Sequence, residues 1–227
     1  MKKFKALQTL GYLISDIPQS LVDTIMVDID AILVKKENKT INHRSYALSM
    51  TLQEPIPDYY LSKSVIPLNN YIKTLVPEYL LSHGEEFREV SKLPYYILEN
   101  GPRGKKAAWV NINKKNEYVL PHIHRGLLSF VIWLKIPYDL KEELLHLETT
   151  NNISDILPGF AFIHQNQYQG QAGFRHHVVS LDKTFENKII LFPATLPHYV
   201  IPFQTSDEYR ISVAGNIAST DNFKWPI

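Results

Sequence analysis

The N-terminal part of the chain carries the hydrophobic spacing of amphipathic helices. Between residues 16 and 36, apolar residues recur every three or four positions, as they do on one face of a helix. They are Leu21, Ile25, Ile29, Ile32 and Leu33. Ser15 or Asp16 can cap this predicted helix, and Pro18 suits its first turn, where an N–H has no intrahelical partner.

A second stretch with the same period follows in the first half of the chain. Its apolar positions are Leu68, Tyr71, Ile72, Leu75, Val76 and Tyr79. Pro77 is expected to kink or end this helix, because proline lacks the N–H of the helical hydrogen bond and its ring clashes with the preceding turn. Apolar stripes of this kind normally bury against a core, so both helices are predicted to pack on a sheet.

From about Leu93 the pattern changes to short runs of β-branched and aromatic residues that are separated by turn residues. In order, the runs are LPYYILENG, AAWVNINKK, LLSFVIWLKIP, GFAFIHQ, FRHHVVSL, NKIILFPA and EYRISVAGNI. The segment GPRGKK between the first two predicts a hairpin-like turn. The third run is apolar almost throughout, which indicates a strand buried on both faces. DLKEELLHL predicts a short helix among the strands.

Strands at this density, with one helical pattern among them, predict an antiparallel sandwich or barrel. No internal repeat, low-complexity tract or linker divides the chain. We therefore expect one mainly β domain. Residues 1–92 form a helical N-terminal part that is not independent, and residues 93–227 form the β core.

Composition narrows the possible functions. The 227 residues are 44% hydrophobic and 21% charged, with a net charge of +1, so nothing in the bulk charge attracts nucleic acid or acidic membranes. The chain has no cysteine, which excludes disulfides, thiolate catalysis and zinc sites built from cysteine. Any metal must be held by nitrogen and oxygen atoms.

The N-terminus, MKKFKALQTLGYLISDIP, has lysines followed by apolar residues, as a signal peptide has. Gln8, Thr9 and Asp16 interrupt the apolar stretch and no small-residue cleavage site follows, so we interpret it as mature protein. No apolar run is long enough to span a membrane. We expect a cytoplasmic protein.

The segment YVLPHIHRGL places His122 and His124 one residue apart. In an extended chain, residues i and i+2 lie on the same face, so both imidazoles can converge on one metal ion. The pair by itself is weak support for a metal site. The adjacent His176 and His177 point to opposite faces of a strand and are interpreted as surface residues, whereas His164 either belongs to a strand or lines a pocket.

A later segment, IILFPATLPHYVIPFQTSDEYRISVAGNI, supplies further candidates. Pro197 and Pro202 bracket His198, which suits an irregular strand end. Arg210 and Ser212 share side-chain parity, so they can hold one carboxylate between them. A buried arginine without an anion is costly. The alternative is a structural pair of arginine with a carboxylate of the protein.

In order and spacing, the motifs W-x-N, H-x-H, FP-x-x-x-x-H-x-V-x-P and R-x-S resemble those of the Fe(II)- and 2-oxoglutarate-dependent oxygenases of the double-stranded β-helix (jelly-roll) superfamily. The resemblance covers roughly residues 94–216. More narrowly, the motifs resemble those of a branch of the superfamily found in phages and marine bacteria. It implies a jelly-roll core of antiparallel strands with helices packed on the major sheet. It also implies an iron(II)-dependent hydroxylase that uses O2 and converts the cosubstrate 2-oxoglutarate to succinate.

Carried over position by position, the resemblance implies two groups of site residues. The metal ligands, which are also the catalytic residues, are His122, His124 and His198. The residues that bind 2-oxoglutarate or line its pocket are Arg210, Ser212, Asn111, Ser129 and Trp133. The superfamily usually has a carboxylate where this chain has His124, and three neutral imidazoles also accept zinc, nickel or copper.

Three other functions remain open from the sequence. A cupin-like three-histidine metalloenzyme without 2-oxoglutarate has the same architecture, but cupins usually add a glutamate after H-x-H, and RGLLSFVIW has none. A non-enzymatic jelly-roll binding or structural protein explains the strands but not the histidines. Nucleic-acid binding through PRGKK is less favoured than a solvated turn. The substrate class (protein side chain, nucleobase or small molecule) and the oligomeric state are left open, because specificity resides in loops.

Overall fold

The structure, a computed structural model, describes residues 11–37, 59–99, 107–149, 157–166 and 173–219. The strands in these ranges are β1 (Leu13–Asp16), β2 (Tyr95–Ile97), β3 (Ala108–Asn113), β4 (Val119–His122), β5 (Leu128–Lys135), β6 (Gly159–Asn166), β7 (Gly173–Ser180), β8 (Lys188–Pro193), β9 (His198–Ile201) and β10 (Arg210–Ser219). The helices are α1 (Gln19–Glu37), α2 (Val65–Leu81), α3 (Arg88–Ser91) and α4 (Leu140–Thr149), with 3-10 turns at Glu85–Phe87 and Lys183–Phe185.

The strands form two sheets. The larger sheet has the order β1-β8-β5-β10, and β2 and β3 both pair with the other edge of β10. The smaller sheet has the order β4-β9-β6-β7. The strand pairs in both sheets are antiparallel. This arrangement confirms the predicted jelly-roll core of antiparallel strands.

Alternate residues of the larger sheet belong to two different hydrophobic cores. Phe130 and Ile132 of β5 pack in a core that includes helix residues. Val131 and Trp133 of the same strand pack in a core shared with the smaller sheet. Because strand side chains alternate between faces, a strand covered on both sides is apolar throughout. The prediction that LLSFVIWLKIP forms a strand buried on both faces is therefore confirmed.

The helices α1 and α2 cover the face of the larger sheet that points away from the smaller sheet. Ile25 and Ile29 of α1 and Ile72 of α2 are fully buried in one cluster with residues of β5, β8 and β10. Full burial of a side chain of this size stabilises the fold by roughly 1.5–3 kcal/mol. The two apolar stripes are thus buried in one core together with residues of the larger sheet.

The N-terminal part is not purely helical. Residues 13–16 form β1, which pairs with β8 at the edge of the larger sheet. The helix α1 therefore begins at Gln19, three residues later than predicted, and Ser15 and Asp16 are strand residues rather than helix caps. Four residues are too few for the alternation of a strand to stand out beside a long helical pattern.

Pro77 lies inside α2, so of the two predicted outcomes, a kink or an end of the helix, the end is wrong and the kink stays a prediction. The helix continues to Leu81. Val76, Tyr79 and Leu80, which flank the proline, are all buried. Their packing offsets the roughly 3 kcal/mol that an interior proline costs a helix.

The strands β2 and β3 do not form the predicted hairpin. Both run antiparallel to β10, with β3 beside residues 210–215 and β2 beside residues 217–219, so they run in the same direction along one edge. The turn residues GPRGKK lie outside the described residues. Turn residues between two short strands indicate where the chain leaves a strand but not which strand is its partner.

Polar side chains on one face of β10 line the space between the two sheets. Ile211 and Val213 belong to the helix-covered core. Because side chains alternate along a strand, Arg210 and Ser212 point the other way, toward the smaller sheet. Asn111 of β3 lies directly opposite Ser212 and shares this face. We call the space between these two sheet faces the cleft.

Among the helices in the described part of the chain, none is long and apolar enough to cross a membrane.

A buried carboxylate joins α1 to the segment that precedes α2. Asp28 is 5% exposed and accepts five hydrogen bonds, from the backbone N–H groups of Ser62, Lys63 and Ser64 and from the hydroxyls of Ser62 and Ser64. Burial by itself raises the pKa of a carboxyl group. The hydrogen bonds from Ser64 and Ser62 outweigh burial here and lower the pKa of Asp28 to about 2.

The Asp28 carboxylate is expected to stabilise the fold near neutral pH and to lose this effect in acid. Because its folded-state pKa of about 2 lies below the ordinary 3.8, the contribution is fully present above that value and disappears as the pH falls through about 2. It amounts to about 2 kcal/mol. Urea unfolding of the wild type and Asp28→Asn across this pH range checks the prediction. Free energies of unfolding that differ by the same amount at every pH would contradict it.

Candidate metal and anion site

Three histidine side chains meet at one end of the cleft. One ring nitrogen each from His122, His124 and His198 lies within 4.8 Å of the other two. The ring centroids are 4.3 Å apart for His122 and His198, 4.8 Å for His122 and His124, and 4.9 Å for His124 and His198. Two nitrogens bound to one ion are at most about 4 Å apart, since metal–imidazole bonds are about 2.0–2.1 Å long, so small side-chain movements suffice for these rings to hold one ion.

Two strands and a turn bring these rings together. His122 is the last residue of β4 and lies directly opposite His198, the first residue of β9. His124 lies beyond the end of β4, and its backbone N–H donates to the carbonyl of Ala194 at 2.8 Å. The two imidazoles converge, as their i and i+2 spacing predicted, although only His122 lies within the strand. His198 is the first residue of β9, and the pairing of β4 with β9 shifts register between Val119 and His122, so the predicted irregular strand end is confirmed.

The turn after His124 requires a glycine. Gly126 has a φ of 112°, a backbone angle that residues with a side chain rarely adopt. A Cβ at this position would also lie 2.9 Å from the carbonyl oxygen of Ile217. That carbonyl accepts a hydrogen bond from the N–H of Leu127 at 2.7 Å. The close approach fixes where the chain leaves the metal site and enters β5.

Hydrogen bonds set which nitrogen of two of the rings is free. Nδ1 of His122 lies 2.8 Å from the carbonyl oxygen of Leu120, and Nδ1 of His198 lies 2.9 Å from that of Leu196. A carbonyl can only accept, so Nδ1 carries the proton in both rings and Nε2 keeps its lone pair. This is the state in which imidazole binds a metal.

Burial keeps the cluster uncharged. Burial, together with a smaller effect of the neighbouring His122, lowers the pKa of His198 to about 3 and that of His124 to about 4. Burial also lowers the pKa of His122, although its hydrogen bond to Leu120 opposes the change. Because metal ligands must be deprotonated, three histidines that are neutral near pH 7 suit a metal site.

Aromatic rings surround the cluster. Phe192 and Phe160 contact His198, with ring centroids 4.8 and 5.3 Å from its own. Trp109 contacts His124 at 5.6 Å. No carboxylate joins the three histidines within the part of the chain that the structure describes. The residues therefore fit a divalent metal held by three neutral nitrogen ligands, with no neutralising charge from the protein.

Arg210 is 1% exposed although it carries a full positive charge. Its Nη1 donates to the carbonyl of Ile201 at 3.1 Å and lies 3.4 Å from the hydroxyl of Tyr138, whereas Nη2 is buried and has no hydrogen-bond partner among the described residues. None of the ion pairs among the described residues involves Arg210. A structural arginine–carboxylate pair is thus not found, and the free N–H edge suits an anionic ligand.

The guanidinium of Arg210 spans from the larger sheet to the strand that carries His198. Ile201, whose carbonyl accepts from Nη1, lies three residues after His198 on β9. Three residues of a strand cover roughly 10 Å. The guanidinium is therefore bound to the backbone of β9 roughly 10 Å along the strand from His198.

Two aromatic residues that the sequence did not single out complete the anion site. Phe203 lies under the guanidinium of Arg210, with the Cζ atom 5.4 Å from the ring centroid, and it stacks on Tyr138 at 4.9 Å. Burial raises the pKa of Tyr138, while the charge of Arg210 lowers it. Tyr138 and Arg210 are 72 positions apart, so no spacing pattern could have connected them.

A buried glutamate holds the loop that carries Phe203. Glu143 of α4 is 1% exposed, and its carboxylate accepts hydrogen bonds from the backbone N–H groups of Gln204 and Thr205 and from the hydroxyl of Thr205. These donors satisfy the charge of the carboxylate without Arg210. The glutamate therefore fixes the loop and leaves the guanidinium free for a ligand.

The other predicted pocket residues have different surroundings. Nδ2 of Asn111 donates to Oγ of Ser212 at 3.3 Å, so these two lie together in the cleft. Oγ of Ser129 donates to Oδ1 of Asn216 at 2.8 Å, and both are buried; Asn216 was not predicted. Trp133 is 2% exposed and packs edge-to-face on Phe160 and Phe185 in the core between the sheets. The ring of Trp133 thus has the surroundings of a core residue.

Residues 107–216 match the protein family described as "Putative 2OG-Fe(II) oxygenase". The matched range contains the three histidines, Arg210 and every predicted pocket residue. The match does not distinguish a phage or marine-bacterial branch, so that narrower assignment stays a prediction. No curated protein matches the chain.

Three solved structures show low similarity to this chain. A prolyl-4-hydroxylase from Pseudomonas putida is 12% identical over 94% of this chain and 90% of its own, with a TM-score of 0.48. HygX from Streptomyces hygroscopicus, with nickel and 2-oxoglutarate bound, is 11% identical over 96% and 86%, with a TM-score of 0.47. An oxidoreductase of the 2OG-Fe(II) oxygenase family from Burkholderia pseudomallei is 15% identical over 62% and 56%, with a TM-score of 0.36. The family match, rather than these similarities, is the finding from which the function follows.

Proposed function

We propose that the protein is a hydroxylase. Residues 107–216 match the family described as "Putative 2OG-Fe(II) oxygenase", which makes the protein an oxygenase that depends on iron(II), 2-oxoglutarate and O2. In the proposed reaction, a substrate C–H bond, 2-oxoglutarate and O2 give a C–OH group, succinate and carbon dioxide. The observation that supports it most strongly is the buried guanidinium of Arg210 with an unpaired N–H edge, at the end of a cleft that begins with three neutral histidines.

We assign the metal to His122, His124 and His198. When bound, iron(II) supplies the activation of O2 that couples decarboxylation of the oxoacid to oxidation of the substrate. The protein would hold the ion through three ring nitrogens, and the remaining ligands would come from the cosubstrate, O2 or water. Because the three imidazoles are neutral, the negative charge that compensates the metal comes from the 2-oxoglutarate dianion. The aromatic rings of Phe160, Phe192 and Trp109 exclude water from the histidine side.

We assign the far carboxylate of 2-oxoglutarate to Arg210, Tyr138 and Ser212. The Nη2 atom of Arg210 offers a charge-assisted hydrogen bond that no described residue accepts. The hydroxyl of Tyr138 lies 3.4 Å from Nη1, so it can accept from the arginine and donate its own proton to the ligand. Ser212 shares the face of Arg210 and accepts from Asn111, which leaves its hydroxyl proton free to donate.

Anaerobic titration with iron(II) and then 2-oxoglutarate tests this assignment. The complex is expected to give a visible metal-to-ligand charge-transfer band that iron alone does not give, and addition of O2 should then produce succinate. The band tests the metal and the cosubstrate together. Iron binding without a band and without succinate would support the second candidate, a three-histidine metalloenzyme that does not use 2-oxoglutarate.

Tyr138→Phe is expected to raise the KM for 2-oxoglutarate roughly tenfold with little change in kcat, because it removes one hydrogen bond to a charged group worth about 1.5 kcal/mol. The phenylalanine ring can keep its stacking on Phe203. Steady-state succinate formation at varied 2-oxoglutarate checks the prediction. A lowered kcat at saturating 2-oxoglutarate, with KM unchanged, would exclude Tyr138 from the carboxylate site.

The location and the substrate class also belong to this proposal. We place the protein in the cytoplasm, where 2-oxoglutarate is available as a cosubstrate, and cell fractionation checks this. The substrate is a protein side chain, a nucleobase or a small molecule. The residues beside the histidine cluster favour a narrower class of substrate.

A further inference from the structure

On the face of the smaller sheet that lines the cleft, a row of side chains runs from the histidine cluster across the neighbouring strands. His198 of β9 lies opposite Phe162 of β6, and Phe162 lies opposite His177 of β7. Residues directly opposite one another on neighbouring strands point to the same side of the sheet. Phe162 packs in the core between the sheets, so His177 lies on the same face of the smaller sheet as His198, although its side chain is exposed.

The next row along the same strands is polar. His164 lies opposite Arg175, and each is two residues from the preceding row, so both side chains share the cleft face. Diagonal neighbours on adjacent strands are about 7–8 Å apart, which is the separation expected between the backbones of His164 and His198. His164 is half-buried and Arg175 is exposed, as expected at the mouth of a cleft.

An aromatic contact fixes the inner end of this cluster. The ring of Tyr12, which precedes β1, stacks on Phe162 with centroids 5.0 Å apart. Its hydroxyl lies 2.7 Å from Nε2 of His177. Tyr12 therefore orients the imidazole of His177 and joins the edge strand of the larger sheet to β7.

The cluster carries positive charge without an acidic partner in the described part of the chain. None of the ion pairs found there involves Arg175. The only described hydrogen-bond partner of His177 is the neutral hydroxyl of Tyr12. A guanidinium flanked by two imidazoles, all on one side of a sheet, is a set of donors that an anion satisfies.

We propose that Arg175, His164 and His177 form a substrate subsite that binds an anionic group, a carboxylate or a phosphate, of the molecule to be oxidised. This inference rests on the proposed function, because it takes the three-histidine cluster as the place of oxidation. The subsite is distinct from the cosubstrate site. Arg210 is buried on the larger sheet, whereas Arg175 is exposed on the smaller sheet. From the strand spacing, the backbones of His164 and Arg175 lie roughly 8 and 12 Å from that of His198, so several bonds separate the bound anion from the oxidised carbon.

Anion binding to the full-length, metal-free protein tests the subsite directly. Inorganic phosphate and acetate are the probes, followed by 31P and 13C NMR shift titrations. The titrations are made in the Arg210→Met variant, in which the proposed cosubstrate site cannot bind the probe. They are repeated in otherwise wild-type protein saturated with 2-oxoglutarate, which occupies that site. In both settings, Arg175→Ala is expected to weaken binding of the preferred probe at least roughly tenfold. Arg88→Ala is the matched control, since Arg88 is also exposed but pairs with Glu85, and it should leave binding unchanged.

The two probes separate the possible sources of the anion. Tighter binding of phosphate identifies a phosphorylated substrate, and tighter binding of acetate identifies a carboxylic acid. Either result supports the subsite if it depends on Arg175. Binding that Arg175→Ala does not weaken, or no binding of either probe, would overturn the proposal. The titration needs neither iron nor turnover, so its failure is distinguishable from a missing charge-transfer band, which would refute the oxygenase assignment of the histidines.

Discussion

Replacing His198 by alanine is expected to abolish succinate formation and to weaken iron binding strongly. The loss of affinity should be far larger than the roughly 10- to 100-fold loss caused by removing a group that only supports a metal ligand. His198 is the most buried of the three candidate ligands and opens β9 directly opposite His122. Its removal leaves two ring nitrogens, and the cluster has no carboxylate in the described chain to replace the third. Iron affinity is measured by anaerobic titration, and turnover by succinate release.

A control is needed to separate loss of a ligand from loss of the fold. His176→Ala removes an exposed histidine from the outer face of β7 and should leave iron binding and turnover unchanged. His198→Gln, which keeps more of the volume of the side chain, should lose turnover as His198→Ala does while unfolding at nearly the wild-type temperature. Iron retained by His198→Ala at wild-type affinity would remove His198 from the ligand set.

Replacing Arg210 by methionine is expected to raise the KM for 2-oxoglutarate roughly a hundredfold or more, since removal of one partner of a buried charge pair costs about 2–5 kcal/mol. Iron binding should be almost unaffected, because the guanidinium makes no contact with the three histidines among its described hydrogen bonds. Charge-transfer titration at varied 2-oxoglutarate checks the affinity. A collapse of iron affinity in this variant would contradict the assigned role.

The same variant gives a second readout that a structural role of Arg210 would not produce. In the ligand-free protein, the guanidinium is buried with Nη2 unpaired, which is unfavourable, whereas methionine is apolar and of similar length. The free energy of unfolding without ligand should therefore be equal to that of the wild type or higher. Urea unfolding of ligand-free protein measures it. If the variant instead loses several kcal/mol of stability and keeps its KM, Arg210 serves the fold rather than the cosubstrate.

Much of the fold could be predicted because it depends on the local alternation of apolar and polar residues. The run that became β5 is apolar on both faces, and this property alone indicated that layers cover the sheet from two sides. The helical stripes likewise indicated packing surfaces, and both lie in the core with the larger sheet. Where the pattern was short or ambiguous the prediction was wrong, as for β1 and for the continuation of α2 past Pro77.

The sequence by itself determined which side chains this protein has for chemistry: neutral nitrogen ligands without cysteine, and an arginine and a serine with matched parity on the last strand. These follow from residue type and from the two-residue period of a strand, both of which are local properties. Only the tertiary structure decided that His124 approaches His122 from beyond the strand end, that Tyr138 and Phe203 surround Arg210, and that Glu143 pairs with a loop instead of with the guanidinium. Each of these depends on which distant segments lie side by side, and the free energy that selects such neighbours comes from packing across the whole domain rather than from any short stretch of the chain.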